Sequence, residues 1–518
     1  MRDWFAAVAA TLCAGGCSFI YNPNNLDHTG DGGDHTVDAA PDAHVTLDAD
    51  PALLELDTIA PAIIYEGQGA VGSTSRPALV TIGGHHITGS FTVAVTPSNP
   101  DMIVGTAQRS NSGDYIVITI GMGVNTTDAT TKVPLTFTVN EEGAPTRTIT
   151  GVSLQYLPEL YGSGTDHEGA LVIDASTLED RYSEIVAGAV SFTVTSTNQA
   201  ARATLHSMSK IAVGNVTANG GNGGNGTAGL GGAGGCPGGA QGTPGGCGVG
   251  GGGTTDSGAG GGGGGFGGAG LPTVSGGAKH GDPQILTFDS VLGDGTDTNQ
   301  SSGGAGGTFG GVASGAGGGG GGGATLELVA EGSISAGVVT TNGGDGGTGG
   351  SVGPLGAAGG GGGGSGGVIV FRSASGPITT TAVSSVGGSG GALQGTGTMG
   401  GKGGVGRIRW DSSAIDALAS TPPGHRAPSF AHPTATITNV QTPMLGLVGT
   451  SGDIVDFYTV DSTGSTHVGE PMHVTLTADS AFKVTLVDGY NHFCTRIAGT
   501  AMEAELPTTC IDLVFLPD

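Results

Sequence analysis

A single block of glycine constrains this chain more than any other feature. Residues 219–406 contain 79 of the 109 glycines, while the rest of the 518-residue chain has an ordinary glycine content. Uninterrupted glycine runs lie at 260–265, 317–323 and 359–364, and the last two lead into strand-like apolar segments. The sequence therefore indicates one glycine-dominated block between two ordinary flanks.

The block alternates short apolar segments with glycine tracts, and this alternation repeats. The segment from Val216 to Gly221 recurs from Val339 to Gly344, and again 44 residues later from Val383 to Gly388. A recurring unit of this kind is typical of stacked supersecondary structures. We predict a solenoid of parallel β rungs over residues 165–412, in which the glycine tracts are excursions between rungs.

Two conformations are open to the glycine tracts. Glycine loses more backbone entropy on folding than any other residue, which favours disorder. Alternatively, the tracts form threefold extended helices that bond laterally, at a spacing that side chains would block. The repeated unit and the direct glycine–strand junctions favour order. The block resembles the glycine-rich domains of certain receptor ectodomains and phage adhesins, which implies that such helices pack side by side.

The flanks carry short strands of β-branched and alternating residues, separated by turn residues. We predict a β-sandwich over 55–157 and a second over 433–518, so that the whole protein is all-β. The predicted strands are 62–65, 78–82, 91–95, 115–120, 133–139 and 148–154 in the first flank, and 454–460, 472–477, 482–487 and 511–516 in the second.

Two segments of the flanks resemble known modules. The stretch from Val80 to Gly89 is similar to part of the IPT/TIG immunoglobulin-like domains, which implies a spacer or binding sandwich. Asp453 together with Asp456-Phe457-Tyr458 is similar to prepeptidase C-terminal-type or carbohydrate-binding sandwiches. A sugar pocket lined by Tyr458, Tyr490, His492 and nearby acids is one interpretation of the second flank, and core tyrosines with exposed loop residues are the other.

The N-terminus is typical of an exported chain. A charged start, an apolar stretch over 5–12 and small residues before Cys17 indicate a signal peptide over 1–16. The segment Ala14-Gly15-Gly16-Cys17 resembles the lipobox of bacterial lipoproteins, which implies acylation of Cys17 and anchoring in a membrane by lipid. Residues 17–54 follow as an acidic tether that lacks the apolar periodicity of a folded segment. The predicted location is the outer membrane or the cell surface.

The remaining cysteines form two local pairs, because Cys13 leaves with the signal peptide and Cys17 carries the lipid. We predict disulfides between Cys236 and Cys247 and between Cys494 and Cys510, as suits an oxidising compartment. A metal site is the alternative, but the sequence has no Cys-x-x-Cys motif. We therefore predict no metal ligands and no cofactor.

The charge balance and the motifs limit the function. A formal net charge of −27 argues against a nucleic-acid partner, because few cations are present to neutralise phosphates. The G-x-S-x-G matches in the glycine block lack the strand-to-helix elbow of hydrolases. Only Lys279, Arg372 and Lys402 are cationic within residues 219–406. We predict a structural or adhesive surface protein without catalysis, and a carbohydrate-binding surface lipoprotein is the alternative. The partners would be the membrane and a surface glycan or protein.

Overall fold

Strands and extended segments build the described parts of the chain. The computed structural model describes residues 54–125, 130–193, 202–231, 235–245, 259–264, 304–310, 315–354, 356–415, 419–431, 436–460, 467–477, 479–497 and 510–517. Within these ranges, the only helix is a 3-10 turn at Ala175–Thr177, so the all-β prediction is confirmed. In this part of the chain, no helix is long and apolar enough to cross a membrane.

The first unit consists of two sheets that enclose one apolar core. Its strands are β1 (Glu55–Ala60), β2 (Ile63–Tyr65), β3 (Ala78–His85), β4 (Phe91–Thr96), β5 (Met102–Val104), β6 (Gln108–Arg109), β7 (Tyr115–Met122), β8 (Lys132–Glu141) and β9 (Arg147–Gln155). One sheet has the order β1-β3-β7-β5, with β6 also on β7, and the other has the order β2-β9-β8-β4. Ile82 and Ile118 of the first sheet and Phe137 of the second are fully buried in the shared core. All six strands predicted in this flank are present, and β1, β5 and β6 are additional.

Two parallel sheets follow in the chain. Their strands are β10 (Leu160–Tyr161), β11 (Ala170–Asp174), β12 (Ile185–Thr193), β13 (Ala203–Ser207), β14 (Ile211–Thr217), β16 (Thr325–Ala330), β17 (Ile334–Thr340), β19 (Val368–Ser373), β20 (Ile378–Ser384), β22 (Arg407–Asp411), β23 (Ser420–Thr421) and β24 (His425–Arg426). The orders are β10-β12-β14-β17-β20-β23, with β11 also on β12, and β13-β16-β19-β22-β24. Three two-residue strands, β15 (Phe309–Gly310), β18 (Ala357–Ala358) and β21 (Gln394–Gly395), pair separately.

The sequence repeat corresponds to the register of these parallel strands. Val216 is opposite Val339, and Val339 is opposite Val383. All three valines are buried in a core between the two sheets, where Phe371 and Trp410 stack with ring centroids 4.5 Å apart. The ladders also continue past residue 412, where the prediction ends them, because β23 and β24 add one strand to each sheet.

The terminal unit is a second pair of sheets. Its strands are β25 (Ser429–Phe430), β26 (Ile437–Thr438), β27 (Met444–Val448), β28 (Ile454–Val460), β29 (His467–Thr475), β30 (Asp479–Lys483), β31 (Gly489–Ile497) and β32 (Cys510–Phe515). They form the sheets β25-β27-β30 and β26-β32-β31-β28-β29. The strand predicted at 482–487 is wrong in its second half, because β30 ends at Lys483. Val484 and Leu486 are buried core residues of the following loop, which explains their apolar alternation.

Candidate functional site

The glycine segments connect the two parallel sheets at one end and bond laterally to each other. Within residues 359–364, the backbone N–H groups point in three directions in turn, with N···O distances of 2.8–3.0 Å. Gly359 and Gly362 donate to Thr308 and Ala305, Gly360 and Gly363 donate to Thr398 and Gly401, and Gly361 and Gly364 donate to Gly347 and Gly344. A three-residue period without internal hydrogen bonds is the geometry of an extended threefold helix.

A neighbouring segment repeats the same pattern. In residues 317–323, the successive N–H groups again serve three neighbours, at 2.7–3.0 Å. Gly317 and Gly320 donate to Gly359 and Gly362, Gly318 and Gly321 donate to Gly224 and Gly221, and Gly319 and Gly322 donate to Gly239 and Cys236. The described glycine segments therefore adopt the packed conformation. We call residues 218–231, 235–245, 259–264, 304–308, 315–324, 341–350, 358–367, 385–392 and 398–406 the glycine bundle.

The spacing of the bundle excludes side chains. A Cβ atom built on any residue from Gly359 to Gly364 would lie less than 3.0 Å from a backbone atom of a neighbouring segment, closer than real Cβ contacts. Because those obstacles are backbone atoms of bonded neighbours, they have little freedom to move aside. These positions thus require glycine because neighbouring backbones approach closely, as at the axis of collagen.

One edge of the bundle carries polar side chains at every third residue. The side chains of Asn219 and Asn222 each accept a hydrogen bond from the next segment, at the N–H groups of Asn342 (2.7 Å) and Asp345 (2.8 Å). Asp345 in turn accepts from the N–H of Ser389, at 2.7 Å. With a rise of about 3.1 Å per residue, these side chains recur about every 9 Å along a segment. The edge therefore presents a regular row of polar side chains, in which Asp345 carries a charge.

A group of buried charges lies on the sheet that contains β16, β19 and β22. Arg372 donates to Glu327, at 2.6 Å, and to Asp411, which also accepts from Arg409 at 2.7 Å. Arg372, Arg409 and Asp411 are almost completely buried. The sequence analysis counted cations only as far as residue 406. It therefore did not connect Arg372 with Arg409 and Asp411, and it missed this cluster. Its mutual ion pairing and burial indicate a structural role.

A cavity of about 830 Å³ lies where this sheet meets both flanking units. The first unit contributes Tyr65 and Arg76, the parallel sheets contribute Arg181, His206 and Glu331, and the terminal unit contributes Tyr490, His492, Cys510 and Asp512. The guanidinium of Arg181 lies 4.5 Å from the centre of the Tyr65 ring. The cavity therefore combines aromatic walls with charges of both signs, which is typical of small-molecule sites.

Desolvation changes the titration of the groups in this cavity. It raises the pKa of Glu331 to about 7, although Arg181 and Arg76 favour the carboxylate and act in the opposite direction. It lowers the pKa of His206 to about 4, and the nearby Arg181 acts in the same direction. The pKa of Arg76 is also lowered by burial. Perturbed groups that converge in a cavity are a recognised mark of a functional site.

A disulfide and a histidine–aspartate pair form one wall of the cavity. Cys494 and Cys510 are directly opposite each other on β31 and β32 and are bonded. His492 and Asp512 are the next opposed pair along these strands that lies on the same face, with His492 Nδ1 2.6 Å from Asp512 Oδ1. His492 Nε2 lies 3.3 Å from Cys494 Sγ. Because both sulfur atoms are committed to the disulfide, this group is a disulfide site.

The predicted site residues have different outcomes. The Cys494–Cys510 disulfide is confirmed. Cys236 is fully buried in the glycine bundle and disulfide-bonded, but Cys247 lies outside the described residues, so this pairing stays a prediction. Cys17 also lies outside them. Tyr490 and His492 do line a cavity, whereas Tyr458 is buried against Cys494.

The sequence reasoning did not single out Asp512 among the acids near this pocket, and it missed Arg76 and Arg181 as cavity residues. Asp512 carried a signal, because it is two residues from Cys510 and thus lies on the same face of β32. Arg76 and Arg181 come from units that are distant in the sequence, and no local pattern places them in one cavity with Asp512. No family model, no curated protein and no solved structure matches this chain.

Proposed function

We propose that this chain is a lipid-anchored surface protein of the cell envelope with a structural or adhesive role. In this proposal Cys17 carries the lipid, residues 17–54 form the tether, and the folded part is exported. The first unit acts as an immunoglobulin-like module, the parallel ladders with the glycine bundle act as a glycine-rich β-solenoid, and the terminal unit is a second sandwich. The role requires no cofactor and no catalysis.

The lateral bonding of the glycine bundle is the observation that supports this role. Each segment that bonds to three neighbours restrains its own backbone without side chains, so the bundle resists bending and local opening. Its edge row offers regularly spaced polar groups to a partner surface, with Asn219, Asn222 and Asp345 exposed and Asn342 half-buried. A stiff body with a regular polar edge suits contact with another surface better than it suits chemistry on a small substrate.

Removal of the proposed lipidation site tests the proposal. We expect a Cys17→Ser variant produced in a Gram-negative host to leave the membrane fraction and to lose any cell attachment that the parent confers. Cys13→Ser is the matched control, because Cys13 is expected to be removed with the signal peptide. Retention of the Cys17→Ser protein in the membrane fraction would contradict the proposed anchor, and unchanged attachment would contradict the adhesive role.

A second candidate function, binding of a carbohydrate, is favoured by the cavity. Tyr65 and Tyr490 provide aromatic surface, Arg76 and Arg181 provide donors, and Asp512 provides acceptor oxygens. Sugars are recognised by this combination of ring faces and planar polar groups. Calorimetric titration with a panel of neutral and acidic oligosaccharides tests it. We expect binding that Arg181→Ala weakens and Arg202→Ala does not, and a panel without any binder would remove this candidate.

A further inference from the structure

The wall of the cavity contains a continuous row of reactive and titratable side chains. Tyr490, His492 and Cys494 alternate along β31, so they lie on one face of the sheet. Asp512 and Cys510 of β32 are opposite His492 and Cys494. The same face of two adjacent strands therefore carries a carboxylate, an imidazole and a disulfide in sequence.

The distances within this row orient the imidazole toward sulfur. Asp512 Oδ1 lies 2.6 Å from His492 Nδ1 and accepts a hydrogen bond from the Tyr490 hydroxyl at 2.6 Å. This contact directs the Nδ1–H of His492 toward the carboxylate and leaves Nε2 facing Cys494 Sγ, at 3.3 Å. A carboxylate on Nδ1 favours the imidazolium, and an imidazolium beside sulfur favours the thiolate.

The two cysteines differ in their position relative to the cavity. Cys494 is fully buried and contacts Tyr458. Cys510 is half-buried and lines the cavity together with His492 and Asp512. A small nucleophile in the cavity therefore meets Cys510 first, and the sulfur beside His492 is in the position of the leaving group.

We propose that Cys494–Cys510 is a thiol-exchange site that takes a low-molecular-mass thiol from the cavity. The incoming thiolate forms a bond to Cys510 Sγ, and the bond between Cys510 and Cys494 breaks with its electron pair on Cys494. His492 transfers its Nε2 proton to Cys494, or holds Cys494 as the thiolate by charge. The products are a mixed disulfide on Cys510 and a reduced Cys494, so no further oxidant or reductant is needed.

The groups around His492 come from all three units. Asp512 and Tyr490 belong to its own sheet, Arg76 comes from the first unit, and Arg181, His206 and Glu331 come from the parallel sheets. Arg76 and Glu331 both interact electrostatically with Asp512. In this setting Asp512 is a positioning residue, because it acts on the sulfur atoms only through His492.

The buried Cys236 gives the site an internal reference. Cys236 is fully buried within the glycine bundle, where its backbone carbonyl accepts a hydrogen bond from the N–H of Gly322 at 2.7 Å. Because a fully buried sulfur is shielded from attack, we expect exchange at Cys510 and not at Cys236. The proposal thus predicts which cysteine is modified as well as how fast.

Mass spectrometry of the full chain tests the site of attack. The chain is incubated with reduced glutathione at pH 7, quenched with acid, alkylated and digested. We expect glutathione on Cys510 and the alkylating reagent on Cys494, with no glutathione on Cys236. Glutathione on Cys494 in place of Cys510, or on Cys236 before Cys510, would overturn the proposal.

The rate of adduct formation tests the role of His492. We expect His492→Gln to slow it by about tenfold or more at pH 7, as for loss of a general acid, and Asp512→Asn to slow it less. His473→Gln is the matched control, because His473 pairs with Asp456 at 2.6 Å in the same sheet but belongs to a different pair. We expect it to exchange at the parent rate.

The pH profile separates chemistry from a change in packing. The His492→Gln rate should follow the thiolate fraction of glutathione alone, whereas the parent rate should depart from that curve because His492 also takes part. If His492→Gln fails to fold, Asp512→Asn carries the test, since the side chain of Asp512 is 49 % exposed. Parent-like rates and an unchanged profile in the folded variant would overturn the role of His492.

Discussion

The glycine bundle and the first unit reach stable structures by different means. In the first unit, Ile82, Ile118 and Phe137 are fully buried and fill the space between two sheets. In the bundle, residues such as Gly320 and Gly361 have no side chains to bury, and backbone hydrogen bonds to three neighbours take their place. Burial of apolar area stabilises the first region, whereas the second depends on complete pairing of its polar backbone groups.

Each repeat of the parallel sheets combines the two kinds of stabilisation, apolar burial and backbone hydrogen bonding. Their inward valines and aromatic residues form an apolar core like that of the first unit, and the chain then passes directly into the bundle. The two modes predict opposite sensitivities: the core tolerates no loss of side-chain volume, and the bundle tolerates no gain. Substitutions can therefore separate them.

The largest expected effect is a loss of volume in the first unit. Phe137→Ala should lower the free energy of unfolding by about 3–5 kcal/mol, because it removes a fully buried ring and leaves a cavity. Thr92→Ala on the neighbouring strand β4 is the control, since Thr92 is exposed. Denaturant unfolding measures both variants. A change below about 1 kcal/mol for Phe137→Ala would show that this core does not stabilise the unit.

A gain of one methyl group in the bundle should have the next largest effect. Gly361→Ala places a Cβ against backbone atoms of Gly318, and we expect a loss of about 1–3 kcal/mol from overpacking. Gly452→Ala is the control: Gly452 has a positive φ of 95° and no atom within 4 Å of its Cβ position, so only backbone strain arises, about 1 kcal/mol. An equal or smaller effect at Gly361 would contradict close packing of the bundle.

Loss of a polar contact at the edge of the bundle should have a smaller effect. Asn222→Ala removes the acceptor for the N–H of Asp345, and we expect about 1 kcal/mol, because solvent at this exposed edge replaces part of the hydrogen bond. Lys402→Ala, at an exposed position of the bundle, is the control. Thermal unfolding compares the two, and equal melting temperatures would show that the side-chain row does not stabilise the edge.

The cavity between the units should show a modest pH effect. Because burial raises the pKa of Glu331 to about 7 from 4.5, the folded state binds this proton more tightly than the unfolded state, and stability is lost as the pH rises through that window. Glu331→Gln should match the parent near pH 4.5 and melt at a higher temperature at pH 7.5. Glu142→Gln, at an exposed position, is the control. If Glu331→Gln and the parent had the same melting temperature at both pH values, desolvation of Glu331 would be contradicted.

Local patterns in the sequence predict the strands well where apolar alternation coincides with burial. Lys132–Glu141 is an example, with Leu135, Phe137 and Val139 buried at alternate positions. The repeated valines 216, 339 and 383 correctly indicate their shared register. The polar strand Gly489–Ile497 was missed, because its sequence GYNHFCTRI lacks clear alternation. Residues 484–487 are loop where the pattern predicts strand, because tertiary packing buries the apolar Val484 and Leu486.

The site follows from the sequence only in part. Tyr490, His492 and the two cysteines lie close in the chain, so their spacing along adjacent strands brings them together. Arg76 and Arg181 come from other units, and their presence in one cavity with Asp512 depends on how those units pack. The lateral neighbours of each glycine segment are equally remote in the sequence, since a run of identical residues carries no register information.

Hydrogen exchange within the glycine segments tests the account most directly. Mass spectrometry on the chain follows the amides of residues 317–323 and 359–364, with the exposed turn at 164–166 as an internal reference. Because each of these glycine N–H groups is bonded to a neighbouring segment, we predict exchange as slow as that of the buried strand β7, over hours. Complete exchange within seconds, at the rate of the reference turn, would contradict the bonded bundle and with it the structural role.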